Sequence, residues 1–186
     1  MSEVTQMTDR RGAAVRVIDT IARTSTLLNR LAAGIAACLL VLMTLHILLE
    51  IGMRFFDRST FMADALVGYG VAAITFLALA WALEEGSMIR VSVLTQTLPP
   101  QAALAADHFA SLATLTLTLF LASHQWQSVA KLWARGSTSQ HYLPIPLWIP
   151  EAIFLAGLVL LALQLVARIL KRLSGQGGPD DSSLRL

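Results

Sequence analysis

Long apolar blocks alternate with short polar segments along this chain, and the blocks predict four membrane-spanning helices. A helix needs about 20 apolar residues to cross roughly 30 Å of hydrocarbon, and inside lipid it satisfies its own backbone hydrogen bonds. The apolar runs are continuous rather than alternating, which argues against a membrane β-barrel. We therefore predict an all-α integral membrane domain. Its four transmembrane helices are expected at about 31–50, 65–84, 108–130 and 147–168.

The segments on either side of this domain are more polar. Within residues 12–30, apolar positions such as Val17 and Ile21 are interleaved with charges such as Arg23. This pattern is typical of an amphipathic helix that lies along the cytoplasmic interface, although it also fits a plain extension of the first span. The tail is rich in Gly, Ser and Asp and is predicted to be disordered. The chain thus divides into 1–30, 31–170 and 171–186.

The distribution of Lys and Arg predicts the orientation in the membrane. Three segments that would share one side carry most of these residues: Arg10, Arg11, Arg16, Arg23 and Arg30 before the first span, Arg90 in the second loop, and Arg168, Lys171, Arg172 and Arg185 in the tail. The other two loops carry Arg54, Arg58, Lys131 and Arg135. Because basic residues concentrate on the cytoplasmic side, we expect both termini in the cytoplasm of a bacterial cell, with the spans in its inner membrane.

Composition agrees with a lipid environment. The 186 residues are 55% hydrophobic and 14% charged, and the mean hydropathy is +0.64, whereas soluble domains carry roughly a quarter charged residues. The net charge is only +2, and the basic residues adjoin apolar blocks, so membrane topology explains them and we expect membrane lipids but no nucleic acid as partners. The single cysteine, Cys38, lies inside an apolar block and cannot form an intramolecular disulfide.

The chain lacks the patterns that carry catalysis. It has no phosphate-binding loop, nucleophile elbow or cluster of metal ligands, so we expect it not to be an enzyme and to hold no metal or cofactor. One alternative stays open. His46 in the first span and His124 in the third could hold a b-type haem if they lay at one depth on neighbouring helices, which would make the chain a four-helix cytochrome subunit.

Ionisable residues avoid the middle of the predicted spans. The acidic residues beside the spans, Glu50, Asp64, Glu84, Glu85 and Glu151, all lie at helix ends. Pathways for ions or protons usually need polar groups or broken helices near the bilayer centre. This chain alone is therefore a poor candidate for a translocation pathway.

The third span has a polar stripe on one helical face. The stripe consists of Ser111, Thr114, Thr118, Gln125 and Ser128. Polar side chains in a span are expected to face another helix rather than lipid. That helix can belong to this chain's own bundle or to a partner protein, and the sequence leaves both open.

The stretch from residue 50 to residue 100 carries a resemblance. An arginine and two aromatic residues follow the first span, an acidic residue begins the second, and a glycine- and arginine-containing turn and a Leu-Pro pair follow it. The matching residues are Arg54, Phe55, Phe56, Ala63, Asp64, Glu85, Gly86, Ile89, Arg90, Val91, Leu98 and Pro99. With the LPIPLWIP entry to the last span, this pattern resembles the small membrane subunit of the tripartite ATP-independent periplasmic (TRAP) transporters, the DctQ-like family. Met62, Ala65, Met88 and Ser92 depart from the residues usual there.

The resemblance implies a scaffold rather than a carrier. In that family the small subunit pairs with a large multi-span permease subunit, which holds the substrate and sodium sites. A periplasmic substrate-binding protein delivers an organic acid to it. By this resemblance, Arg54, Asp64, Glu85 and Arg90 are candidates for contacts that hold the assembly, and Arg54 and Asp64 could lock the first two helices together. Ser111, Thr114 and Thr118 are further interface candidates from the polar stripe.

Overall fold

The computed structural model is all-helical, as the apolar pattern predicts. It describes residues 2–59, 63–86, 99–139 and 144–173, apart from the side chains of residues 2–15, 64, 100, 103, 104, 107, 172 and 173. Within these ranges there are four helices: α1 at Ser2–Arg54, α2 at Ala63–Glu84, α3 at Pro100–Arg135 and α4 at Trp148–Leu173. Each of the first three predicted spans lies inside one of them, and the fourth begins one residue before α4. Of the tail predicted to be disordered, 171–186, the first three residues instead continue α4, and 174–186 lie outside the described residues.

Three of the four helices are long and apolar enough to cross a membrane. The stretches that qualify are 16–54 of α1, 65–84 of α2 and 148–171 of α4. Among the described residues α3 is not one of them, although its 36 residues exceed the length required. Its serines and threonines and the polar run from His124 to Gln127 lower its hydropathy. A fourth span therefore stays a prediction.

The first helix is continuous from Ser2 to Arg54. Its 53 residues extend about 80 Å at 1.5 Å per residue, far more than the thickness of a bilayer. The segment 12–30 is therefore continuous with the first span, and an amphipathic helix along the interface is not confirmed.

Local backbone chemistry explains where the helices begin and end. Pro100 stands at the first position of α3, where a missing N–H costs no hydrogen bond. Gly136 ends α3 in the left-handed conformation, with φ at 60°, and its N–H donates to the Trp133 carbonyl. The chain then returns through a short antiparallel pairing of Thr138 with Pro146. Pro150 lies in the first turn of α4 and does not interrupt it.

The fourth helix is the centre of the bundle. It contacts α1, α2 and α3, and α1 also contacts α2, whereas α3 contacts α4 alone among the described parts of the chain. Two groups of buried side chains fill the space between α1, α2 and α4. One contains Ala80, Leu83, Leu161 and Leu165, and the other contains Ala32, Ala36 and Leu77. The bundle is thus a three-helix core with α3 attached to one side.

The helices α2 and α4 approach each other closely at Gly157. A Cβ placed on Gly157 would lie 2.6 Å from the backbone oxygen of Phe76, so this position admits no side chain without a shift of one helix. One turn earlier on α4, the Phe154 ring packs against the Phe76 ring with centroids 3.9 Å apart. Small residues at such crossings allow two backbones to approach closely inside lipid.

Candidate functional site: polar side chains between the helices

A polar cluster joins the three core helices near the start of the apolar part of α1. The Asn29 side-chain amide donates to the Glu84 carboxylate at 2.8 Å and to the Gln164 side-chain oxygen at 2.9 Å. The Ser25 hydroxyl donates to the same Gln164 oxygen at 2.6 Å. Because Ser25 and Asn29 are fully buried, α1, α2 and α4 are linked by hydrogen bonds that lipid cannot provide.

One atom of this cluster has no partner. The Asn29 side-chain oxygen is buried and accepts no hydrogen bond from the described part of the chain. A buried polar atom without a partner costs free energy, so any stabilisation by the Asn29 side chain comes from the bonds that its amide group donates. The cluster consists of neutral side chains and a single carboxylate, and it forms no catalytic or metal-binding set.

A second polar contact lies at the opposite end of α1. Glu50 is 4% exposed, and its carboxylate accepts a hydrogen bond from the Ser59 hydroxyl. The Arg54 guanidinium lies 3.4 Å from the same oxygen, although the Arg54 side chain is 65% exposed. Glu50 therefore ties the end of α1 to the loop that leads into α2.

A third polar contact attaches α3 to α4. The Gln125 side-chain amide donates to the Glu151 carboxylate and, at 3.2 Å, to the Glu151 backbone oxygen. Gln125 is buried at 8% exposure. The Trp133 ring lies about two turns after Gln125 on α3, and the Trp148 ring lies about one turn before Glu151 on α4. The two rings meet edge-on with centroids 4.6 Å apart. The last part of α3 and the first turn of α4 are thus held together by one polar and one aromatic contact.

The structure describes only some of the charged residues that the sequence singled out. Arg54 pairs with Glu50 on its own helix, whereas the Asp64 side chain lies outside the description, so the contact between Arg54 and Asp64 stays a prediction. Glu85 is exposed just after α2. Arg90 falls outside the described residues.

The polar stripe of α3 is directed in large part towards α4. Thr118 is buried at 4% exposure, Ser111 is half-buried, and both lie on the side that carries Gln125. Thr114 is exposed and donates its hydroxyl to the Ala110 carbonyl of its own helix. The neighbour that buries the stripe is therefore a helix of this chain, while Thr114 marks the edge of the stripe.

The haem alternative does not fit the structure. His46 is on α1 and His124 is on α3, two helices that make no contact in the described part of the chain. The His124 side chain is exposed. Two axial ligands must face each other across one haem, so these histidines do not form such a pair.

Among the residues of the three polar contacts, only Arg54 and Gln125 were singled out from the sequence as contact candidates. A search for charges at mid-membrane passes over Asn29 and Gln164 because both are neutral. Gln164 is the sole polar residue of the block 152–167. A polar residue isolated in an apolar block is a signal in itself, since it must find a partner in another helix.

The fold and these contacts define a class of protein: a multi-pass membrane protein with polar side chains that fasten helices together. The sequence profile described as "Tripartite ATP-independent periplasmic transporters, DctQ component" matches residues 43–175, which is more than half of the chain. The chain belongs to this family, the small permease component of TRAP transporters. It is accordingly a component of a membrane transporter of the inner membrane, and the family is not one of enzymes.

No individual curated protein and no solved structure matches the chain. The family match begins at residue 43. Glu84 and Gln164 therefore lie inside the matched region, whereas Ser25 and Asn29 lie before it.

Proposed function

We propose that this chain is the small subunit that braces a large multi-span permease subunit during ion-coupled uptake of an organic acid. A periplasmic binding protein would deliver the acid, and the permease would carry the substrate and ion sites. Family membership supports this role, because members work with a large permease and a periplasmic binding protein.

The observation that carries the proposal is where the polar groups of the described helices lie. The carboxylates of Glu50, Glu84 and Glu151 stand at helix ends, and each is used to fasten one element to another. A helix bundle with its own ion pathway needs polar or ionisable groups near mid-membrane. The polar groups of these helices instead make hydrogen bonds within the chain. Such contacts suit a subunit that stays fixed while a partner moves.

The proposed orientation places both termini in the cytoplasm. The Glu50 and Glu151 contacts then lie at the periplasmic end, and the Asn29 cluster lies at the cytoplasmic end. The bundle is fastened at both levels, while the middle is packed by apolar groups such as Ala36, Leu77 and Gly157. This construction favours a rigid body.

A pull-down from native membranes tests the assembly. The chain carries a tag on its cytoplasmic tail, is extracted in mild detergent, and its companions are identified by mass spectrometry. We expect a large multi-span permease in stoichiometric amount. Recovery of this chain alone, under conditions that keep other membrane complexes intact, would reject the role of brace.

Partner contacts at the two ends are part of the proposal. Arg54, Asp64, Glu85 and Arg90 are the charged candidates, and the described side chains of Arg54 and Glu85 are exposed. Loss of one charge from a desolvated ion pair weakens an assembly strongly, whereas a headgroup-facing charge tolerates removal. We expect Arg54→Ala to lower recovery of the permease, with the exposed Arg135→Ala as matched control. Unchanged recovery and transport with Arg54→Ala would remove Arg54 from the interface.

A further inference from the structure

A basic groove runs between α1 and the end of α4, beside the polar cluster. Its volume is about 410 Å³, and its charged lining consists of Arg23, Arg30, Lys171 and Asp19. The four charges sum to +2. Arg23 and Arg30 are exposed and make no ion pair or hydrogen bond with the described residues.

The groove lies where the membrane surface is expected. Arg30 immediately precedes the first charge-free block, which begins at Leu31. On α4 the last apolar block ends at Ala167, and Lys171 follows one turn later. The two helices therefore reach the level of lipid headgroups at the same height, and the cations of the groove stand at that level.

An apolar track leads from the groove towards the bilayer interior. Leu27 lines the groove itself and is 60% exposed. Leu31 and Ile35 follow at intervals of four residues and are 57% and 55% exposed, so the three side chains form one ridge of the helix. A headgroup in the groove would leave its acyl chain alongside this ridge.

We propose that this groove binds the phosphodiester headgroup of an anionic phospholipid. Arg23 and Arg30 stand seven residues apart on one helical face, and Lys171 approaches from the neighbouring helix. Guanidinium groups suit phosphate oxygens because they donate in a planar fork. The net charge favours a lipid that keeps a negative charge, such as phosphatidylglycerol, over a zwitterionic one. Arg23 and Arg30 lie before the residues matched by the family, whereas Lys171 lies within them, and the site does not depend on the proposed brace.

Native mass spectrometry of the full chain in detergent tests the site by titration with phosphatidylglycerol. Each basic residue near an anionic surface contributes about 1 kcal/mol, so loss of two should weaken binding roughly 30-fold. We expect this loss for the double variant Arg23→Gln/Arg30→Gln. The control is Lys131→Gln/Arg135→Gln, which removes two exposed cations at the end of α3 and should change binding less than about threefold. Circular dichroism verifies that both variants keep their helices.

Two further ligands identify the source of the phosphate. Phosphatidylethanolamine should bind at least tenfold more weakly than phosphatidylglycerol, and glycerol phosphate, which lacks acyl chains, should not displace the lipid at equal concentration. Equal binding of both lipids, or equal loss in both double variants, would overturn the proposal. Displacement by glycerol phosphate would overturn it in favour of a soluble phosphate compound. A protein that co-purifies in place of lipid and is lost with Arg23→Gln/Arg30→Gln would overturn it in favour of an acidic partner.

Discussion

Asn29 is a single residue that touches two other helices at once. Its amide nitrogen donates to Glu84 on α2 and Gln164 on α4, and the side chain has no exposed surface. Hydrogen bonds from Asn29 to water do not compete with these two bonds, because the residue is fully buried in the folded bundle. In a membrane, such bonds contribute about 0.6 kcal/mol on average and up to about 1.7.

We expect Asn29→Ala to lower the free energy of unfolding by about 1–3 kcal/mol, because it removes the donor to the Glu84 carboxylate and leaves Ser25 as the remaining donor to the Gln164 oxygen. Reversible unfolding in mixed detergent micelles measures the change. Thr24→Ala is the matched control, since Thr24 is exposed and bonds only to backbone oxygens of its own helix. An equal loss of unfolding free energy in both variants would show that the hydrogen bonds between helices contribute no more than those within one helix.

Replacing either residue of the Glu50–Arg54 ion pair should destabilise the protein, but by different amounts. Arg54→Ala should cost less than about 1 kcal/mol, because the arginine is mostly exposed and the pair is within one helix. Glu50→Ala should cost more, about 1–3 kcal/mol, because it removes the acceptor of the Ser59 hydroxyl from a buried position. Thermal unfolding of the two variants gives the comparison. Equal costs would mean that the ion pair, not the loop contact, is what Glu50 provides.

At the scale of helices, the crossing of α2 and α4 depends on a glycine. The Cβ of Gly157→Ala would stand 2.6–2.7 Å from the Phe76 backbone and Cβ, so the helices must separate. We expect a loss of about 1–3 kcal/mol, typical of overpacking. Gly34→Ala is the control, since a Cβ there meets nothing within 4 Å and alanine favours a helix by about 1 kcal/mol. A stabilised Gly157→Ala would show that the crossing is loose.

The attachment of α3 can be tested separately from the core. Because α3 contacts α4 alone within the described residues, Gln125→Leu should loosen α3 without loosening the packing of α1 on α2. Amide hydrogen exchange should become faster in α3. The increase should correspond to a loss of about 1 kcal/mol of free energy, the usual net contribution of one hydrogen bond. Faster exchange throughout the bundle would contradict this division into a three-helix core and an attached helix.

The helices themselves were predictable from the sequence, and their arrangement was not. Continuous apolar blocks and the charges or prolines between them locate helices, because lipid demands closed backbone hydrogen bonding. The blocks do not tell which face meets which helix, since lipid tails and leucine side chains are equally apolar. A polar residue in a span does mark the face that meets another helix. Gln125 was singled out for this reason on α3, and Gln164 marks the corresponding face of α4.

The candidate residues, like the helices, were easier to find in the sequence than their contacts were. The family was recognisable from residues such as Arg54 and Gly86, because these stand in short loops where the pattern is local. The sequence offers Arg54 two acidic partners, because Asp64 and Glu50 both stand near the same loop. Helical spacing favours Glu50, four residues before Arg54, and the structure has this pair.

For the molecule as a whole, the crossing of the membrane by α3 decides the topology. If α3 crosses, residues 58 and 138 share the periplasmic side and residue 85 faces the cytoplasm. We expect this arrangement from the ten basic residues assigned to the cytoplasmic segments against four elsewhere. In a Cys38→Ala background, Arg58→Cys and Thr138→Cys should react with a membrane-impermeant maleimide in cells with a permeabilised outer membrane. Glu85→Cys should react only after the inner membrane is broken.

The three positions suit this experiment because their side chains are exposed in the folded chain. Labelling at residue 138 distinguishes the two topologies, because a third helix that failed to cross would keep that residue on the side of residue 85. The fourth helix would then place the tail in the periplasm, next to a cluster of basic residues that the positive-inside rule assigns to the cytoplasm. Reaction of residues 58 and 138 alone would establish four spans, whereas reaction of residue 58 alone would limit the chain to three.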